Sequence, residues 1–478
     1  MNITSPDFKE NARIALKDVG LQKALGNVKT GFPHKRATAM ERLPEFDQLR
    51  DEARDLKNHI IEHLDLYLEA FEAKVLENGG HVHWCRTSEE AQKTILKICQ
   101  EKNAKTVTKG KSMVTEEINL NEYLEANGVT PVETDLGEYI LQLRGEHPSH
   151  IIAPAIHLNL EDVSETFHSH HHKPKSMDPA VLMQEAREEL RNKFVAADVG
   201  ITGANFLVAE TGSSIIVTNE GNGDLTQILP KTHIVVTSIE KVVPTLEDMT
   251  LFLRLLARSA TGQEFTVYNT LSTGPRQEGD QDGPEDYHVV LVDNGRSEMI
   301  ASELREMLRC IRCAACMNHC PVYGAVGGHS YGWVYPGPMG SVLTPQMIGI
   351  EKGALLPNAS TFCGKCESVC PVRIPLPKLM RYWRRNEFEK HLTPKTSRWG
   401  LGIWGFFAKR PALYRQLSKL SNATLRALSR KQARISKLPL ARGWTEHRDM
   451  PAPSGKTFMQ LWADKQQGQN KPQSEHSS

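Results

Sequence analysis

Apolar residues at Leu56, Ile60, Leu64, Leu68, Phe71 and Val75 recur every three or four positions through LRDEARDLKNHIIEHLDLYLEAFEAKVLENGG, the period of one helix face. The spacing predicts an N-terminal helical segment over residues 1–78, with one long helix stopped by Gly79 and Gly80. Beyond them the pattern changes. Short apolar runs such as KTVTKGKS, THIVVTSI and YHVVLVD alternate with helical stretches and are bounded by glycine, proline or polar turns. That rhythm predicts an α/β domain over 79–294. A cysteine-rich region follows at 300–385, and its middle, YGAVGGHSYGWVYPGPMG, reads as a loop wrapped closely around a compact body. The chain is then helical and basic over 390–465, and the polar tip at 466–478 is expected to be a disordered tail.

With 478 residues there is room for about three domains. A hydrophobic share of 39% with 24% charged residues suits a soluble globular protein. No apolar stretch approaches the ~20 residues of a membrane span, and the start, MNITSPDFKENARIALKD, has no basic patch leading into an apolar run. A cytoplasmic location is expected. The net charge of +1 hides an asymmetry: from Thr393 onward 16 Lys or Arg face 4 Asp or Glu, a surplus of +12 against −11 for the rest. The basic region from Trp399 to Ile435 begins WGLGIWGFFAKRPALYRQLSKL. It is read as an interfacial or partner-docking helix, at an acidic partner or an anionic lipid surface, or as packing on its own protein. No nucleic-acid module accompanies it.

Seven of the nine cysteines lie between Cys310 and Cys370, a density that in a reducing compartment points to metal ligation. Cys85 and Cys99 stand apart and are expected to be buried thiols. The run CIRCAACMNHCP is C-x2-C-x2-C-x3-C-P, the bacterial ferredoxin pattern in which three cysteines hold one [4Fe-4S] cluster and the fourth reaches a second. STFCGKCESVCP repeats it with Ser360 in the first position. The spacing assigns Cys310, Cys313, Cys316 and Cys370 to cluster one, and Cys320, Cys363 and Cys366 to cluster two. Cluster two is short one thiolate. It is a [4Fe-4S] cluster with a fourth ligand from Ser360, water or another chain, a [3Fe-4S] cluster, or a labile site. Zinc is the competing reading, but two all-cysteine zinc sites would want eight ligands in separated pairs. Arg309, Arg312 and Lys365 either raise the cluster potentials or are solvated surface charges.

Other candidates carry less. KGKSMVTEE (Lys109 to Glu117) lacks the spacing of a phosphate loop, and no GxGxxG fingerprint follows a strand. ETDLGEYILQL (Glu133 to Leu143) and VAETGSSIIVTNEGN (Val208 to Asn222) place acidic and small residues near expected strand ends, where α/β folds bind ligands. Glu210 is a candidate catalytic carboxylate or part of a polar turn. The histidines of HSHHH, His168 to His172, are expected to lie solvated in a loop.

GKSMVTEE, ETDLGEYILQL, SHIIAPAIH, GITGANFLVAETGS, TNEGN, DNGRSE and the two cysteine runs together resemble the lactate utilisation protein B family over about residues 10–465. The resemblance implies a lactate-utilisation (LUD) domain with a fold like the NagB/RpiA/CoA-transferase group, a ferredoxin-like dicluster domain and a C-terminal helical extension. It implies oxidation of L-lactate to pyruvate alongside two companion proteins, with this chain as electron carrier and the seven cysteines as ligands. Two competing roles are an enzyme in which the α/β domain binds lactate or a CoA-like ligand with Glu210 doing chemistry, and a redox-sensing scaffold.

Overall fold

The near-continuous apolar runs become parallel strands buried on both faces. The computed structural model describes residues 3–429, 434–438, 442–446 and 448–469, and the chain divides into two units, 1–389 and 390–478. In the first, the strands are β1 (His81–Cys85), β2 (Thr106–Gly110), β3 (Thr130–Glu133), β4 (Val199–Thr202), β5 (Phe206–Val208), β6 (Ser213–Thr218), β7 (Thr232–Ser238), β8 (Val242–Val243), β9 (Tyr268–Ser272) and β10 (Asp286–Val292). Six form a parallel sheet in the order β1-β10-β7-β4-β2-β3. Every residue of β7 is buried, which is why THIVVTS shows no polar alternation. The other four make a second sheet, β8-β5-β6-β9, antiparallel except where β5 meets β8. The mixed α/β class expected from the sequence is what the chain adopts; the second sheet was not anticipated.

Helices fill residues 8–77, as their periodicity predicts, but not as one run. The helix Phe46–Glu62 ends at His63 (φ −120°, ψ 35°) and Leu64–Glu77 begins anew. The break widens the apolar face, so that Ile60, Ile61 and Leu64 all enter the core. Gly79 (φ +83°) then turns the chain into β1, and at Gly80 a Cβ would lie 2.9 Å from Val75 Cγ1, so the turn is closed to larger residues.

One core joins the N-terminal helices (Phe46, Ile60, Phe71), the second sheet (Phe206, Val242) and the cysteine region (Tyr335, Cys313, Leu379). A separate core covers the other face of the parallel sheet, with Val199, Ile234 and Val290 against Ile95 and Cys99. The cysteine region is therefore built onto the helices and sheets rather than appended to them.

Two sequence expectations are corrected. The segment around residues 323–340 is not one loop: it holds the short helices Tyr323–Val326 and His329–Tyr331, buries Tyr323, Tyr331, Trp333 and Tyr335, and enters the helix Gly337–Ile348. HSHHH is not in a loop; its first four residues are the last turn of the helix Leu160–His171, with His172 as the left-handed cap (φ +59°). The His171 side chain, 3% exposed, bridges Glu185 (2.8 Å) and Tyr139 (2.9 Å) and ties helices together, whereas His168, His170 and His172 are exposed, as expected.

The second unit contains the helices Lys395–Ala408, Pro411–Leu428, Arg442–Thr445 and Phe458–Gln469, and a short antiparallel pair, Arg434–Ile435 with Met450–Pro451. The first two bury no residue. The expected disordered tail begins too early, since the last helix continues to Gln469; 470–478 lie outside the described residues. No helix among the described residues is long and apolar enough to cross a membrane.

Candidate metal centre

The two cysteine runs fold as copies of each other at an offset of 50 residues. In the first, Arg312 (φ +60°) and Ala314 (φ +61°) are left-handed; in the second, Phe362 (φ +54°) and Gly364 (φ +78°) are. A one-turn helix follows each, Ala315–Asn318 and Lys365–Ser368. Side chains other than glycine seldom adopt φ > 0, and such strain concentrates where a loop must curl around something.

Cys310, Cys313, Cys316 and Cys370 line one cavity, whose other walls include Ile151, Met307, Ile311, Val372, Ile374 and Leu376. Burial pushes the Cys313 thiol up to about 12, with Cys370 and Cys310 adding to it. Cys316 is pushed well up by burial and by Cys310, Cys313 and Cys370. Burial raises Cys366 to about 12, helped by Cys320 and Cys363, and raises Cys320, helped by Cys363. Cys310, Cys313 and Cys370 thus act on Cys316, and Cys320 and Cys363 act on Cys366. Cys316 also feels Cys366, so the two groups adjoin.

These residues fit an iron-sulfur body. The donor set is all sulfur, the walls are apolar, and backbone N–H groups point at the sulfurs: Arg312 at Cys310, Tyr323 at Cys320 and Ile374 at Cys370, each at 3.4 Å. Among the described residues no three His, Cys, Asp or Glu side chains gather as a single ion would require. The four sulfurs instead surround a cavity, as an extended inorganic body needs. Cys313 is buried whereas its counterpart Cys363 is exposed, so the first group is covered and the second reaches the surface.

Charged residues that the sequence reading missed surround this centre. Arg36 Nη2 donates to the Val369 carbonyl at 3.0 Å, and Arg50 holds the carbonyls of Ser368 and Cys370. Lys57 Nζ donates to the Glu240 carbonyl at 2.6 Å, and burial pulls Lys57 down to about 8. The Glu240 carboxylate faces Arg312 at 3.3 Å and Arg296 at 3.0 Å. Burial alone would raise it, but Arg296, Arg312 and Lys241 hold it at about 2. Arg296 also pairs with Glu117 at 2.7 Å, and Tyr335 donates to Glu117 at 2.6 Å. A buried charge network therefore runs from the carboxyl end of β7 to Cys310. Its signal was basic residues, Arg50 and Lys57, in line with Ala53 and Ile60 on an apolar helix face.

Of the three flanking cations, Lys365 is exposed. Arg309 is buried and binds Asn58 Oδ1 (2.7 Å) and the Arg373 carbonyl (3.1 Å), while Arg312 lies 4.9 Å over the Tyr335 ring. Neither arginine is a solvated surface charge.

The remaining candidates have structural work. Lys109 is buried between Glu116 and Glu133, 2.7 Å from each, so KGKSMVTEE and ETDLGEYILQL share a charge cluster. Glu210 is exposed, and its Oε2 accepts the Leu246 N–H at 3.0 Å. Cys85 and Cys99 are buried, and burial raises Cys99 to about 12. A cavity of about 470 Å³ lies between the N-terminal residues Thr4 and Asn11, the segment from Arg144 to Asp162, and Val326 to Ser330. In its wall Ser149 Oγ is 2.7 Å from His157 Nδ1, and His157 Nε2 is 2.8 Å from Glu146. The Tyr323 hydroxyl donates to the Ser149 carbonyl at 2.8 Å and links this chain to Cys320.

Comparison with known proteins agrees with this layout. Residues 68–292 match the LUD domain model, 306–374 the 4Fe-4S dicluster domain, and 389–467 the C-terminal model of lactate utilisation protein B. Lactate utilization protein B of Bacillus subtilis (strain 168) is 43% identical over 98% of both chains. The Escherichia coli (strain K12) protein described as uncharacterized electron transport protein YkgF is 42% identical over 98% of both. A duf162 family crystal structure from Deinococcus radiodurans is 17% identical and covers 48% of this chain and 98% of its own; at a TM-score of 0.26 it bears on nothing further. Together with the cysteine geometry, the dicluster match identifies the centre as an iron-sulfur site.

Proposed function

The chain belongs to the lactate utilisation protein B family, and from that premise we propose that it is the iron-sulfur electron carrier of a system oxidising L-lactate to pyruvate. It holds two [4Fe-4S] clusters, one on Cys310, Cys313, Cys316 and Cys370, the other with Cys320, Cys363 and Cys366. The clusters, when bound, supply one-electron oxidation and reduction. The observation that carries this reading is the one cavity that Cys310, Cys313, Cys316 and Cys370 line together, with backbone N–H groups directed at Cys310, Cys320 and Cys370.

The chain's own residues do the rest. Apolar walls keep water from the first group, and Arg36, Arg50, Lys57 and Arg312 offset negative charge beside it. Exposed Cys363 makes the second group the door to a partner. The α/β domain, on residues 79–294, has the NagB/RpiA/CoA-transferase-like fold, and the dicluster domain, on 300–385, a ferredoxin-like one. Two companion proteins take part, and they remove the hydride from lactate, because these clusters accept one electron each. The basic helices after residue 390 rest against an anionic membrane surface, with Trp399, Ile403 and Phe406 exposed among lysines and arginines.

Anaerobic purification with iron and sulfide counting and EPR tests this. About eight irons per chain are expected, reduced by lactate only when the companions are present. A colourless chain containing zinc would sink the proposal.

A further inference from the structure

The two-fold repeat of the cysteine loops places one atom that the cysteine count leaves out. Cys310 opens the first loop, and its Sγ accepts the N–H of the residue two further on, Arg312, at 3.4 Å. Ser360 opens the second, and its Oγ accepts the N–H of Phe362, again two residues on, at 3.2 Å. The residues between and after them share the same left-handed positions and the same one-turn helices. A helical turn precedes each as well, Arg305–Arg309 and Leu355–Asn358. The serine hydroxyl therefore stands where a cysteine would present its sulfur.

This position is also held from behind. Arg384, on the helix Leu376–Glu389, donates to the carbonyls of Pro357 (2.9 Å), Asn358 (3.1 Å) and Ser360 (2.9 Å), and its guanidinium lies 4.1 Å over the Phe362 ring. Three carbonyls gathered on one guanidinium leave the Ser360 backbone little freedom.

We propose that Ser360 Oγ is the fourth protein ligand of the second cluster, with Arg384 as its positioning residue. The assignment rests on the two-cluster reading above. On binding, the O–H bond breaks, an iron–oxygen bond forms and the proton leaves to water, with no change in electron count. Oxygen is a harder donor than thiolate and favours the ferric state. The second, more exposed cluster therefore differs from the first in potential although the loops match.

The test compares the anaerobically purified full chain with Ser360→Cys, Ser360→Ala and Arg384→Lys, by iron and sulfide content, EPR and Mössbauer spectra, and redox titration. Ser360→Cys is expected to keep the full iron content, to change the spectrum of one cluster only and to raise its midpoint potential. Ser360→Ala is expected to lose one iron per chain on mild oxidation that leaves the parent intact, and Arg384→Lys to lose it more slowly. If both Ser360 variants match the parent in iron content, spectrum and midpoint, serine is not a ligand and the assignment falls while the two clusters stand. A parent chain that already carries seven irons also overturns it. A chain without iron overturns the two-cluster reading and takes this assignment with it.

Discussion

Arg50 grips the backbone of Cys370: its Nε and Nη2 donate to the Cys370 carbonyl at 3.0 and 2.8 Å, and Nη2 also reaches the Ser368 carbonyl at 2.6 Å. A side chain from the N-terminal helices thereby fixes the end of the second cysteine loop. Arg50 is buried, so removing it takes the side-chain donor from the Ser368 carbonyl and leaves the Cys370 carbonyl with only the Arg373 N–H at 3.3 Å. Arg50→Leu should cost about 2–4 kcal/mol and lower iron retention. Arg50→Lys should recover about half, since an ammonium offers one nitrogen where the guanidinium places both Nε and Nη2 on these carbonyls. Denaturant melts of the anaerobic protein, read beside iron content, measure this. Unchanged melting in both variants would mean the loop is held elsewhere.

Acid should unfold the chain in two stages. His150 is buried, accepts the N–H groups of Ile152 and Ala153 on Nδ1 and pairs with Asn318 through Nε2; burial lowers it to about 4. His233, inside β7, is lowered by burial to about 3. Both stay neutral when folded and take a proton near pH 6.5 when unfolded. Their contribution is full above pH 6.5 and declines as pH falls toward 4 and 3, by about 1.4 kcal/mol per unit for each. Glu240, held at about 2, adds a second loss as pH falls from 4.5 toward 2. Denaturation midpoints at a series of pH values track both stages, and His150→Asn with His233→Asn should flatten the upper one. A parent curve already flat between pH 6.5 and 4 would contradict the account.

Much of this was legible in the sequence, for a physical reason. The cysteine spacing is set by the body it surrounds, so local spacing carried the grouping of Cys310, Cys313 and Cys316. The three β-runs were legible because burial on both faces removes polar residues. What stayed hidden was tertiary: Arg36 and Arg50 contact the second cysteine loop across more than 300 residues of chain, and Lys57 reaches the Glu240 carbonyl across 183. The helix break at His63 and the helical placement of HSHHH depend on packing against partners that periodicity does not name.

Glu210 separates the carrier reading from the enzyme reading. Its Oε2 accepts the N–H of Leu246, the first residue of the helix Leu246–Ala260, so the carboxylate acts as a helix cap. Glu210→Gln should keep an acceptor there, cost at most about 1 kcal/mol and leave lactate-driven cluster reduction with the companions unchanged. Loss of turnover with intact clusters and unchanged melting would instead place chemistry on this residue.

The basic C-terminal helices supply a prediction that depends on lipid charge. In Lys395–Ala408, Trp399, Ile403 and Phe406 fall at intervals of four and three residues, one helix face, and all are exposed. In Pro411–Leu428, Leu413, Leu417 and Leu420 repeat that spacing, and Arg415, Lys419 and Arg426 provide positive charge. Apolar side chains alone would enter any bilayer interface, whereas cations add about 1 kcal/mol each only at an anionic one. The full chain should therefore cosediment with phosphatidylserine-containing vesicles, weaken as salt rises, and bind zwitterionic vesicles poorly. Replacing Trp399, Ile403 and Phe406 together by Glu should abolish sedimentation while leaving iron content untouched, because none of the three is buried. Equal partitioning of parent and triple variant would show that these helices meet a protein surface and that lipid is not their partner.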